Sequence, residues 1–196
     1  WYFLRWWFVG RLLLYMHEVM ANWTRETVVL NWWITLLGGT VGKGAVIATV
    51  NFTEPDLLEI GEDTTIDEDA HICGHTFHRG HLIIGPVKIG AGSYIGPMSV
   101  VLPYARIDDN VFIDRQSLVR TGQRCPSGTY WQGSPSRMAE NPYGAGSHPF
   151  TVAAHCQPFI LVLLQVFGVI LLSGGIVLAM VPIVFLVPLL SGALPQ

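Results

Sequence analysis

Four histidines fall within eleven residues, His71, His75, His78 and His81, and the next one along the chain is His148. A neutral imidazole titrates near ambient pH. It can take a proton from an amine or hydroxyl as that group attacks a thioester, an effect on the order of 10² to 10⁴ in rate. His75, fixed between Gly74 and Thr76 in the segment CGHTFHRGHLIIGPVK, is the candidate general base. Thr76 and His78 are candidate substrate or donor contacts, and His78 and His81, further into the loop, line an acceptor pocket or face water.

A repeat must position these residues. Ile89, Ile95, Val101, Ile107, Ile113, Val119 and Cys125 stand six apart, with the same register at Ile60, Ile66 and Ile72 and at Val41 and Ile47. Four residues after each comes a mostly small one: Ala45, Thr64, Ala70, Thr76, Ser93, Ser99, Ala105, Val111 and Ser117. A period of six fits neither a helix nor a two-residue alternation. It fits a triangular solenoid in which each hexad is one flat side, the aliphatic residue points inward and the small one lets the chain turn. Stacked about 4.8 Å apart in parallel, such turns bury a ladder that no single turn buries alone. The sequence therefore predicts a mainly β chain, a left-handed parallel β-helix of about eleven hexads. Gly42, Gly61, Gly90 and Gly96 suit corners of unusual backbone angle or close approach. The ladder is interrupted once, between Ile72 and Ile89, where an interval of 17 residues replaces the 18 that would keep register. Extruded loops are where solenoids carry function.

Apolar residues make up 51% of the 196-residue chain and charged ones 13%, about half the share usual in a globular protein, which places part of it in lipid. A net charge of -3 without a basic run argues against nucleic acid as a partner. Three widely spaced cysteines, Cys73, Cys125 and Cys156, form neither a disulfide framework nor a metal knuckle and suit a reducing compartment. Trp1 to Met20 is Trp- and Leu-rich with Arg5 and Arg11, the pattern of an interfacial helix or of the end of a truncated spanning helix, with the membrane interface favoured. The run TVVLNWWITLL is too short to span and lies along the membrane or caps the next domain. Pro158 to Leu190 has no charged residue, enough for one kinked transmembrane helix or a helical hairpin. The expected organisation is membrane-proximal helices over 1–37, the β-helix over 38–140, a linker over 141–157 and membrane helices over 158–191. The first residue, Trp1, suggests a piece of a longer protein.

Residues 89 to 124 resemble the hexapeptide-transferase repeat, and Gly74-His75-Thr76 followed by VKIG and IG resembles the loop and repeats of maltose and galactoside O-acetyltransferases. In that family the His after this Gly is the catalytic base, which maps onto His75. WQGSPSR, Trp131 to Arg137, is similar to the element that ends many such β-helices. A wider likeness, through LLGGTVGKGAVI, DLLEIGEDTTI, GHTF and W-x-G-x-P, is to the C-terminal membrane region of poly-lysine-synthetase-type nonribosomal peptide synthetases.

The resemblance implies a membrane-tethered acyl or aminoacyl transferase unit. It would use a phosphopantetheine thioester on a carrier protein, or acyl-CoA, as co-substrate, with no covalently held cofactor. Membrane lipid and sister β-helix units, within one polypeptide or as a homotrimer, would be its partners, and it would be an integral membrane protein with the β-helix on the cytoplasmic side. Tyr94, Trp131 and Arg137 are candidate donor contacts. Pro97 departs from the family, standing where a Ser and a backbone N–H face the developing oxyanion, and proline has no N–H to give. That departure keeps open a non-catalytic scaffold that docks a carrier domain or a sister unit. A zinc site of the gamma-carbonic-anhydrase kind needs a later pair of histidines, and Leu82 to Ser147 has none, so no metal is expected.

Overall fold

The computed structural model describes residues 24–142 and the helical residues at 3, 4, 6–8, 10, 11, 163, 164, 167, 168 and 171. The chain divides into two compact units, Trp1–Gln157 and Pro158–Gln196, and the first contains the β-structure.

That structure is a three-sided parallel coil. Its first sheet is built from β1 (Thr40–Val41), β3 (Leu58–Ile60), β8 (Val87–Ile89), β11 (Arg106–Ile107) and β14 (Arg124–Cys125). The second contains β2 (Val46–Ile47), β4 (Thr65–Ile66), β9 (Tyr94–Ile95), β12 (Phe112–Ile113) and β15 (Tyr130–Gln132). The third contains β5 (His71–Ile72), β10 (Val100–Val101) and β13 (Leu118–Val119), with Phe52 bridged to Ile72 one turn earlier. Each sheet stacks its inward residues in register. Val41, Ile60, Ile89, Ile107 and Cys125 form one ladder; Ile47, Ile66, Ile95, Ile113 and Trp131 form the next. Ile66, Ile95, Ile107 and Ile113 are at most 1% exposed, so the interior is a dry aliphatic column.

The small residues hold the corners by two means. Ser93 donates its hydroxyl to the Asp108 carbonyl at 2.9 Å and accepts the Val111 N–H at 3.2 Å; Ser99 repeats this with Asp114 and Ser117. Each buried hydroxyl thus serves the turn above, which removes the cost of burying it. Gly61 and Gly90 are required by close approach rather than by backbone angle: a Cβ on Gly61 would sit 2.4 Å from the Ala91 nitrogen. The left-handed angles fall two residues further along, at Asp63 (φ 51), Gly92 (φ 62) and Asn110 (φ 54), residue types that tolerate that region.

The ends are closed. Helix α1 (Val28–Leu36) is apolar except for Asn31 and Thr35, yet only Leu30 and Ile34, one turn apart, are buried against the first turn, while Trp32 and Leu36 stay exposed. Asn31 ties it down by donating to the Ala45 carbonyl at 2.8 Å. The short TVVLNWWITLL run is therefore a cap, and the folded unit begins upstream of residue 38. At the other end β16 (Arg137–Ala139) turns back antiparallel to β15, while Leu118 donates to the Gly133 carbonyl and accepts from the Ser136 N–H.

Two departures from the periodic pattern shape the site. Ile72 and Ile89 lie on adjacent sides, which six residues would join, so the segment between them is not three irregular sides but an eleven-residue excess. It is extruded as the hairpin β6 (His75–His78) and β7 (His81–Ile84). Thr76, expected inward at a corner, lies in this hairpin. The second departure, not seen in the periodicity, lies one turn earlier: Ile47 to Ile60 spans thirteen residues rather than twelve, with a 3₁₀ turn at Pro55–Leu57. Among the described residues no helix is long and apolar enough to cross a membrane. Most of 158–191 and of the 141–157 linker lie outside the described residues.

Replacing Ile95 by Ala removes a fully buried rung that has neighbours above and below. It should lower unfolding stability by about 2–5 kcal/mol, read as a drop in the urea midpoint at constant m-value.

Candidate active site

Both irregular segments leave the coil at the same corner, between the third and first sheets, in consecutive turns. Stacking therefore sets Thr53 and Glu54 beside Gly74 and His75. The Gly74 N–H donates to Thr53 Oγ1 at 3.3 Å, and the His75 Nδ1 lies 2.7 Å from Glu54 Oε1. A carboxylate only accepts, so this contact requires the proton on Nδ1, the tautomer in which the neutral ring has its lone pair on Nε2. Thr53 Oγ1 donates to the other oxygen, Glu54 Oε2. The Glu54 side chain is 10% exposed and that of His75 is 23% exposed, so the pair is shielded but reachable.

The pair opens on a cleft of about 270 Å³ whose walls are mostly aromatic: Phe3, Trp6 and Trp7 from the N-terminal helical residues, Phe52 from the coil and Phe77 from the hairpin. Trp6 donates Nε1–H to Glu54 Oε1 at 3.0 Å and sets its ring edge-on to His75, with centroids 4.8 Å apart. Phe77 meets His75 edge-on at 5.8 Å. Low local polarity strengthens the imidazole–carboxylate contact. The neighbouring Cys73 thiol is pushed up by burial and further by the Glu54 charge. Cys125, inside the column, is pushed up to about 12 by burial and by Asp108.

Alternation along the hairpin separates the other candidates. His75 and Phe77 project to one face; Thr76 and His78 project to the other, where His78 faces His81 across the Arg79-Gly80 turn. Tyr94, Trp131 and Arg137 do not line the cleft at His75. Tyr94 stands on the outer face of the second sheet, donating to Asp67 Oδ2 at 2.7 Å and stacking on Phe112 at 4.6 Å. Trp131 is the last inward rung, its Nε1–H given to Thr129 Oγ1 at 2.8 Å. Arg137 is exposed on β16. Pro97, at a corner of the second and third sheets, offers only its carbonyl, which accepts from Gln116 at 2.9 Å.

A larger groove of about 490 Å³ over the first sheet is lined by charges already paired: Lys88 with Glu59 at 2.7 Å, and Arg106 and Arg124 with Asp108. It contains no imidazole. Among the described residues no three His, Cys, Asp or Glu side chains gather closely enough to hold a metal.

The residues missed from the sequence are Glu54, Trp6 and Phe77. The one available signal for Glu54 was the thirteen-residue spacing from Ile47 to Ile60.

No family model matches the chain. It is 26% identical over 135 residues to the delta-poly-L-ornithine synthetase of Acinetobacter baumannii, which covers 69% of this chain but only 10% of that protein. It is 28% identical over 123 residues to YvoF of Bacillus subtilis, which carries an acetyltransferase name, covering 61% of this chain and 70% of that one. The similar solved structures include acetyltransferases. A maltose O-acetyltransferase from Clostridium difficile superposes with TM-score 0.44 and 19% identity, over 66% of this chain and 87% of that one. A galactoside acetyltransferase in complex with coenzyme A gives TM-score 0.40 and 23% identity, over 51% of this chain and 63% of that one.

Burial is the main cause that pushes the Cys73 thiol up and the Glu54 charge adds to it, so Glu54→Gln should remove the second cause and speed alkylation of Cys73 by iodoacetamide at pH 8, by about two- to tenfold. Peptide mass spectrometry reads this directly, and an unchanged rate would mean the carboxylate is not beside the thiol.

Proposed function

We propose that this chain is an acyl or aminoacyl transferase unit in which His75 is the general base and Glu54 its orienting carboxylate. The observation that carries the reading is the 2.7 Å contact between these two side chains at the wall of a shielded cleft. The acceptor amine or hydroxyl enters the cleft and gives its proton to His75 Nε2 as its nitrogen or oxygen bonds to the thioester carbonyl carbon. The tetrahedral intermediate collapses, the C–S bond breaks, and the proton on Nε2 passes to the departing thiolate. Glu54 offsets the imidazolium charge between these steps. Pro97 gives no N–H, so the oxyanion takes its hydrogen bonds from another donor.

The donor in this reading is a pantetheine thioester, on CoA as in the galactoside acetyltransferase complex or on a carrier protein, and the coil is left-handed as the hexapeptide resemblance implies. The partial match to a poly-ornithine synthetase favours the carrier and a place within a longer synthetase. It also favours sister β-helix units as neighbours. Tyr94 from the outer face of the second sheet, Trp131 from the last rung of the coil and Arg137 from β16 would meet this donor away from the cleft, and Thr76 and His78 would act through the hairpin rather than beside His75.

The unit sits at a membrane, with the β-helix on the cytoplasmic side. Support comes from Leu4, Phe8, Leu163, Leu164, Phe167 and Leu171, each more than half exposed, and from the uncharged run after Pro158. Apolar side chains exposed together on one segment favour lipid or a partner as their neighbour.

His75→Ala in the intact protein should cut transfer by about 10² to 10⁴ with the fold retained, assayed with acyl-CoA and with acyl-carrier protein as donors. Normal turnover would reject the reading, and the preferred donor identifies the thioester. The protein should also stay in the pellet after an alkaline carbonate wash of membranes; release would reject membrane insertion.

A further inference from the structure

We infer that Trp6 is a positioning residue for the His75–Glu54 pair, so that the N-terminal helical residues belong to the transfer apparatus. The inference rests on the transferase reading above and extends it to a residue with no titratable group.

Three observations carry it. The Trp6 indole N–H and the His75 Nδ1 meet the same oxygen, Glu54 Oε1, at 3.0 and 2.7 Å. With Thr53 on Oε2, the carboxylate is held by three donors and cannot rotate without breaking one of them. Second, the Trp6 ring contacts the imidazole edge-on, and Phe77 closes on the same imidazole at a similar angle, so the ring is clamped from two elements. Third, the residues facing the cleft, Phe3, Trp6, Trp7, Gly10 and Arg11, recur at the three- and four-residue spacing of a single helix face. Leu4 and Phe8, outside that face, are 61% and 64% exposed. One face of this apolar segment is committed to the site. The other is available to lipid, and Trp6 connects the two.

A base aligned by its carboxylate loses efficiency when that carboxylate is free to swing, because proton transfer needs the imidazole in one orientation. Trp6→Phe keeps the ring contact and removes only the N–H. Measured on the full chain in membranes, it should lower kcat by about tenfold and leave KM nearly unchanged. Trp6→Ala, which also removes part of the cleft wall, should lower kcat and raise KM. Because both groups act through one oxygen, Trp6→Phe should cost nothing further in a Glu54→Gln background. Full kcat in Trp6→Phe, or losses that multiply in the double variant, would overturn the proposal. A second reading is independent of turnover. The Trp6 indole N–H resonance, assigned by its disappearance in Trp6→Phe, should shift in Glu54→Gln, and an unmoved resonance rejects the contact. If the parent chain has no transfer activity, the function fails. A shifted resonance then shows that Trp6 still holds the carboxylate, so the two failures are told apart.

Discussion

The constraint on which this molecule depends is the return of each turn to register. A strand pairs with its neighbour only if the chain closes its triangle in eighteen residues, as from Ile89 to Ile107 to Cys125. Any surplus must leave the coil, and it can leave only at a corner, because a residue inserted along a side would turn an inward isoleucine outward. Both surpluses leave at one corner in successive turns. The spacing of the sheets then delivers the Glu54 carboxylate to the His75 imidazole from twenty-one residues away. The pair is a product of stacking geometry more than of any local sequence.

The legibility of the sequence follows from this. The inward ladder could be read because β-strand stacking demands one apolar residue in six and shows in the residue types themselves. It runs one rung further than Cys125, to Trp131, whose place is fixed by the same spacing. The hairpin could be recognised as an interruption but not as a hairpin, since Arg79-Gly80 is a weak turn signal beside Asn-Gly or Asp-Gly. Strand alternation, which cannot be read until the hairpin is known, puts Thr76 and His78 on one face and His75 and Phe77 on the other. Glu54 was illegible for a different reason. A one-residue excess is taken up by a 3₁₀ turn and leaves no compositional trace, and an isolated acid near Pro55 looks like any solvated loop residue.

The contrast between the two grooves shows how environment rather than size selects the site. The first sheet carries the larger depression, but its charges neutralise one another across neighbouring strands and stay in water, where such pairs contribute little. The smaller cleft places one carboxylate and one imidazole among aromatic rings, where the same chemistry acts at low dielectric. That setting depends on Trp6 and Phe77, which come from outside the repeat.

The reversed strand β16 has a consequence for how copies of this fold can meet. Parallel coils end in unpaired edges, and such edges invite another coil to add on lengthwise into a fibre. Here the second sheet ends in an antiparallel partner, the third in the bonds of Gly133 and Ser136 to Leu118, and the opposite mouth beneath Leu30 and Ile34. The first sheet ends on Arg124, a charged edge residue. Among the described residues, lengthwise addition of one column to another is thereby disfavoured at both mouths, which leaves the flanks as the faces a neighbour could use.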